Sequence, residues 1–134
     1  LPATEPLSRL YFSTFGMLGA SMGTVLATKL VRPEGRAVLV TGDGAFGFNA
    51  MELDTAVRHN IPITVIVGND AAWGIDRQIQ IGLYGRPVAT DLLPQRYDLI
   101  AQGMGAHSEY VQRPEELDLL LVAGGTSSTQ SRSP

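Results

Sequence analysis

Asp43 and Asp70 are the two residues of this chain best placed to do chemistry. Asp43 stands in Gly42-Asp43-Gly44, and Asp70 in Gly68-Asn69-Asp70, 27 positions further on. Each follows a short apolar, β-branched run: Ala37-Val38-Leu39-Val40-Thr41 before the first, Ile63-Thr64-Val65-Ile66-Val67 before the second. Two carboxylates with no neighbouring His or Cys suit a hard cation such as magnesium. That ion takes one or two carboxylates and completes its octahedron with water and phosphate oxygens. A phosphate has a seat nearby. Gly44, Ala45 and Phe46 lead into a helix, whose first N–H groups favour an anion. Gly42 and Gly44 let backbone come close to a ligand.

Those residues must be brought together by the elements around them. Asn49 to His59 carries apolar residues at Met51, Leu53, Ala56 and Val57, the pattern of a half-buried helix. Asn60 and Pro62 end it. Strand, helix, strand is a βαβ unit with parallel strands. Their C-terminal ends then share one edge of the sheet, where open α/β folds bind ligands. Either acidic turn alone is ordinary turn chemistry. The pair, each member after a buried strand, is a far more specific signal.

The stretch closely resembles the signature of thiamine diphosphate (ThDP) enzymes: Gly-Asp-Gly, a helix and a strand, then Asn-Asn. The resemblance covers roughly residues 14 to 121. It implies the diphosphate-binding domain of such an enzyme. It implies magnesium held by Asp43, Asp70 and the Ala72 carbonyl. It implies cofactor contacts from Gly42, Asp43, Gly44, Ala45, Phe46, Asp70, Ala72, Trp73 and Gly74. Gly74 is expected to let a backbone N–H reach the diphosphate. Gly16-Met17-Leu18-Gly19 matches the family's Gly-x-hydrophobic-Gly loop. Leu18 is then the wedge that bends the cofactor, and the Gly16 carbonyl accepts from its aminopyrimidine amine. Two positions depart from the pattern. Asp70 stands where the family has Asn and adds negative charge beside a diphosphate. Ala45 replaces a frequent Ser and removes a hydroxyl donor.

Within the family the chain looks most like the acetolactate synthase, 2-hydroxyacyl-CoA lyase and benzaldehyde lyase group. Asp54-Thr55 and Trp73-Gly74 favour the lyases. The implied chemistry makes or breaks a carbon–carbon bond beside a carbonyl of a small 2-hydroxyacyl or 2-oxo acid substrate. No catalytic residue is assigned in this chain. The activating glutamate is expected from a pyrimidine-binding domain of the same or a neighbouring subunit, in a homo-oligomer. An acetolactate synthase-type transferase is the first alternative, and a non-catalytic truncated fragment the second. A generic nucleotide-binding module is a third, but no Gly-Lys-Ser/Thr loop is present.

The rest of the chain bounds these readings. It has 134 residues, a 44% hydrophobic fraction and a formal net charge of −3, which suit one globular domain. No Lys/Arg cluster points to nucleic acid. No apolar run approaches a membrane span, and no leader pattern stands at the start. A cytoplasmic location is the default. With no cysteine, disulfides and thiolate metal sites are excluded. The fold expected is three-layer α/β/α with a mainly parallel sheet over residues 1–123. Residues 1–9 should enter as a loop. A helix is expected over residues 19–31, closely packed through Gly19 and Gly23. Further helices are expected over 76–81, over 97–102 and from Pro114 to about Val122, with a loop over 82–94 and a strand over 107–111. His59 and His107 are assigned no catalytic role. Residues 124–134, GGTSSTQSRSP, read as a disordered low-complexity tail where relatives have a last strand, so the sheet is expected to lack it.

Overall fold

The computed structural model of the chain describes residues 5–6, 8–11, 16–113 and 115–116. Its centre is a parallel pair of strands, β1 (Val38–Gly42) and β2 (Thr64–Gly68). They pair one for one, from Val38 with Thr64 to Gly42 with Gly68. The two strands therefore finish level with one another.

Helices among the described residues accompany them: α1 (Ala20–Val31), α2 (Asp43–Asn49), α3 (Glu52–Arg58), α4 (Gly74–Tyr84) and α5 (Tyr97–Gly103). α1 begins at Gly19, whose φ of 86° favours glycine. Met22, Val25 and Leu26 are its buried residues, spaced as one helix face. Its last turn is closed by Lys29, whose Nζ donates to the Pro33 and Gly35 carbonyls at 2.6 and 2.8 Å. One core cluster joins Met22 and Val25 to Leu39, Phe46, Leu53 and Ala101. A second holds Leu26, Ala56 and Ile61. Both lie on the Leu39 side of the sheet. On the other side Val38 and Val40 are 50% and 63% exposed, and no helix among the described residues covers them.

Several expectations change. The crossover is helical from Asp43, not from Asn49, because extended Gly42 passes directly into helix. It then divides at Ala50 and Met51. There Leu53 N–H reaches back to Ala50 and Asp54 N–H to Met51, both at 3.0 Å, in the tighter i to i+3 pattern. α4 is longer than expected and stops at Gly85, which has a φ of 72°. Gly19 is closely packed, but Gly23 faces open space, with nothing within 4 Å of a Cβ built there. Residues 107–111 form no strand. Side chains tie that segment to α5 instead: Ser108 Oγ donates to the Asp98 carbonyl at 2.7 Å, and the Arg96 guanidinium lies 4.3 Å from the centre of the Tyr110 ring. Glu115 and Glu116 are helical. The rest of that helix and the 124–134 tail lie outside the described residues.

Candidate functional site

The level ends of β1 and β2 put Asp43 one residue past Gly42 and Asp70 two residues past Gly68, on the same edge. Asp43 is 1% exposed, and its Oδ2 has no hydrogen-bond partner among the described residues. A buried carboxylate oxygen without a partner is costly. A cation would supply what it lacks. Its charge also reaches Tyr97 on α5. Burial pushes the Tyr97 phenol above its ordinary range, and the Asp43 carboxylate pushes it further.

Asp70 is exposed and leans over the start of α4. A Cβ at Gly74 would stand 2.5 Å from its Oδ2. The bare Cα of Gly74 thus makes room for the Asp70 carboxylate, a use that sequence reasoning did not foresee. Ala72 is buried and pairs with Asp91 in an isolated antiparallel bridge. The bridging bonds fall on its neighbours: Trp73 N–H donates to the Thr90 carbonyl at 2.8 Å, and Leu92 N–H to the Ala71 carbonyl at 2.7 Å.

Gly44 also has a neighbour of its own. A Cβ there would meet the six-membered ring of Trp73 at 2.8 Å. The close approach at Gly44 is therefore made by indole, whereas Gly42 has nothing within 4 Å of a built Cβ. Phe46 points into the core, edge-on to Tyr97 with ring centres 5.4 Å apart. Its side chain cannot serve a ligand at the edge, so only its backbone fits the expected role. Ala45 is half-buried beside it.

The glycine loop before α1 joins the same neighbourhood through Phe48. A Cβ at Gly19 would lie 2.7 Å from the Phe48 Cβ, and Asn49 Nδ2 donates to the Gly19 carbonyl at 3.0 Å. The Phe48 ring in turn lies 5.6 Å from Trp73, centre to centre. Leu18 is 56% exposed, in the manner of a side chain that awaits a partner. The Gly16 carbonyl accepts from Leu18 N–H at 2.8 Å and keeps a second lone pair.

Asp43, Gly44, Phe48, Trp73, Leu92 and Tyr97 line an open pocket of about 290 Å³. Sequence reasoning missed Phe48, Leu92 and Tyr97. Phe48 follows from a helix that starts at Asp43. Leu92 and Tyr97 arrive from a distant loop and helix, with no local signal. Among the described residues no three His, Asp or Glu cluster as a self-sufficient metal cage. Asp43 lines this pocket, whereas Asp70, Ala72 and Gly74 do not. As a donor set, two carboxylates and a carbonyl suit magnesium, which keeps water and phosphate ligands.

Comparison with known proteins follows the same lines. Residues 1–127 match the family model described as thiamine pyrophosphate enzyme, C-terminal TPP binding domain. The acetolactate synthase large subunit IlvG of Mycobacterium tuberculosis is 46% identical over 104 residues, 77% of this chain and 19% of that protein. Human 2-hydroxyacyl-CoA lyase 2 is 40% identical over 117 residues, 87% of this chain and 18% of that protein. The chain thus spans about a fifth of the length of the curated relatives it matches. A solved thiamine diphosphate-dependent 4-hydroxybenzoylformate decarboxylase from Rhodococcus jostii superposes with a TM-score of 0.76 at 21% identity, over 82% of this chain and 21% of that one. At that identity the likeness concerns the fold.

Proposed function

Because this chain belongs to the thiamine pyrophosphate enzymes, as their C-terminal TPP-binding domain, we propose that it is the diphosphate-binding half of a lyase or carboligase for 2-hydroxyacyl or 2-oxo acid substrates. The observation that carries the site is the buried, unpartnered Oδ2 of Asp43 at the shared edge of β1 and β2. Asp43, Asp70 and the Ala72 carbonyl hold Mg²⁺. The backbone from Gly42 to Phe46, with that of Gly74, faces the diphosphate. Leu18 and the Gly16 carbonyl orient the aminopyrimidine and thiazolium rings, while Phe48 and Trp73 keep the neighbouring wall apolar. The bound cofactor supplies an electron sink for breaking or making a carbon–carbon bond beside a carbonyl. This chain's own part is to bind and position it.

The glutamate that exchanges a proton with the pyrimidine ring comes from a pyrimidine-binding domain. Oligomeric assembly and a cytoplasmic location complete the reading. A second reading, an acetolactate synthase-type transferase, is favoured by the 46% identity to the mycobacterial protein. It differs in substrate and not in this site.

Titration calorimetry of ThDP, with Mg²⁺ and then with chelator, tests the site. Binding is expected only with the metal, since two carboxylates and a diphosphate repel each other without it. Equal affinity in both conditions would sink the metal assignment.

A further inference from the structure

Asn69 uses both ends of its side-chain amide. Oδ1 accepts from Ala71 N–H at 3.2 Å, and Nδ2 donates to the Gln95 carbonyl at 2.9 Å. The first bond is local and braces Ala71, whose φ of 53° is unusual for a residue with a side chain. The second joins residues 26 positions apart.

More bonds run beside it. The Trp73–Thr90 and Ala71–Leu92 backbone bonds close the bridge between Ala72 and Asp91. Arg77 Nε, one turn into α4, donates to Asp91 Oδ1 at 2.6 Å. Thr90 is itself only 5% exposed. The turn from Asn69 to Trp73 is thus gripped along one side by residues 90–95.

The bridge has a directional consequence. Ala72 and Asp91 are the kind of antiparallel pair whose bonds lie on the flanking residues. In such a pair the residue's own N–H and C=O turn away from the partner segment. The Ala72 carbonyl therefore faces away from the grip, and no backbone N–H among the described residues donates to it.

We propose that residues 90–95 are a positioning strap for the metal-binding turn, with Asn69 as the positioning residue that links the two. The proposal rests on the Mg²⁺–ThDP reading above. Magnesium demands a near-ideal octahedron at short distances, whereas calcium accepts six to eight ligands in flexible geometry. A strap that fixes one backbone carbonyl acts on the choice between these ions more than on folding.

The experiment measures half-saturating Mg²⁺ and Ca²⁺ for ThDP binding, each as the sole divalent cation, in the wild-type chain and two variants. Asn69→Ala removes both side-chain bonds. Asn69→Asp keeps the acceptor for Ala71 N–H and loses only the donor to Gln95, so it isolates the strap and preserves the turn. Asn69→Ala adds no charge and so controls for the carboxylate that Asn69→Asp introduces. Loss of an outer-shell partner typically costs about 10- to 100-fold in metal affinity. The expected result is a fall of about tenfold in the preference for Mg²⁺ over Ca²⁺ in both variants. An unchanged preference in Asn69→Asp overturns the strap, as does an equal loss for the two ions. If wild type binds ThDP without any metal response, the underlying site reading fails instead, and the strap falls with it. Thermal unfolding of the metal-free proteins separates a general loss of stability from the ion preference.

Discussion

The indole of Trp73 lies directly on the Cα of Gly44, so that a Cβ at residue 44 would come within 2.8 Å of the ring. This contact crosses from the turn after β2 to the first residues of α2. It fixes the distance between the two segments that carry Asp43 and Asp70.

Gly44→Ala should push the ring away and separate the two turns. Overpacking of this kind costs about 1–3 kcal/mol. Urea unfolding should show that loss, and ThDP affinity with Mg²⁺ should fall with it. Unchanged unfolding and binding would mean that the ring moves freely and does not set the spacing.

Asp43→Asn should separate stability from function. It replaces a buried carboxylate with a neutral amide of the same shape and should not lower metal-free stability, because a neutral group is cheaper to bury than a charge. The Mg²⁺-dependent part of ThDP binding should disappear. A variant both less stable and still metal-responsive would show that Asp43 is structural.

Asp70→Asn should bind cofactor as well as wild type or better, because it keeps an oxygen ligand and sheds one negative charge beside the diphosphate. Asp70→Ala deletes the ligand and should weaken binding. Calorimetry compares the three proteins. Equal damage from Asn and Ala would remove Asp70 from the ligand set.

The Tyr97 phenol gives a pH test of the same edge. Its raised pKa comes first from burial and second from Asp43. A folded-state value above the unfolded one means that this contribution to stability is complete below about pH 10, where the unfolded phenol titrates. It is lost as pH rises through the folded value. Tyr97→Phe should therefore flatten the alkaline loss of stability. Asp43→Asn should move the Tyr97 titration, followed by NMR of the ring, only part of the way back, since burial remains.

On the half-site reading proposed above, turnover requires more than this chain. Loss of one positioned acid or base costs about 10² to 10⁴ in rate. The chain with Mg²⁺ and ThDP should release no measurable aldehyde or carbon dioxide from 2-hydroxyacyl or 2-oxo acid substrates. Addition of a pyrimidine-binding domain from a close relative should restore part of the activity. Robust turnover by the chain alone would overturn the half-site reading.

That Asp43 and Asp70 follow strands ending at one edge of the sheet was legible because a βαβ unit leaves little freedom in where its strands end. The helix expected over residues 19–31 is likewise found, as α1 (Ala20–Val31). What escaped was set by contacts with no local signature. Nothing in the spacing of Trp73 tells that its ring covers Gly44. Asn69 and Gln95 meet because a loop returns, and loops carry no period. The division of the crossover helix was hidden for another reason: Ala50 and Met51 are good helix formers, and backbone there stays in the α region. The expected strand over 107–111 failed because alternation promises only a half-buried segment, and side chains around α5 hold it instead.

Trp73 is the only tryptophan in the chain. It stands between Gly44 and Phe48, on the wall of the candidate pocket. All indole emission from this protein therefore originates at one known spot, with no background from elsewhere. A diphosphate, a metal ion or an aromatic heterocycle that arrives there would alter the polarity and quenching around that single fluorophore. The chain carries its own optical probe, and occupancy can be followed in real time without a label.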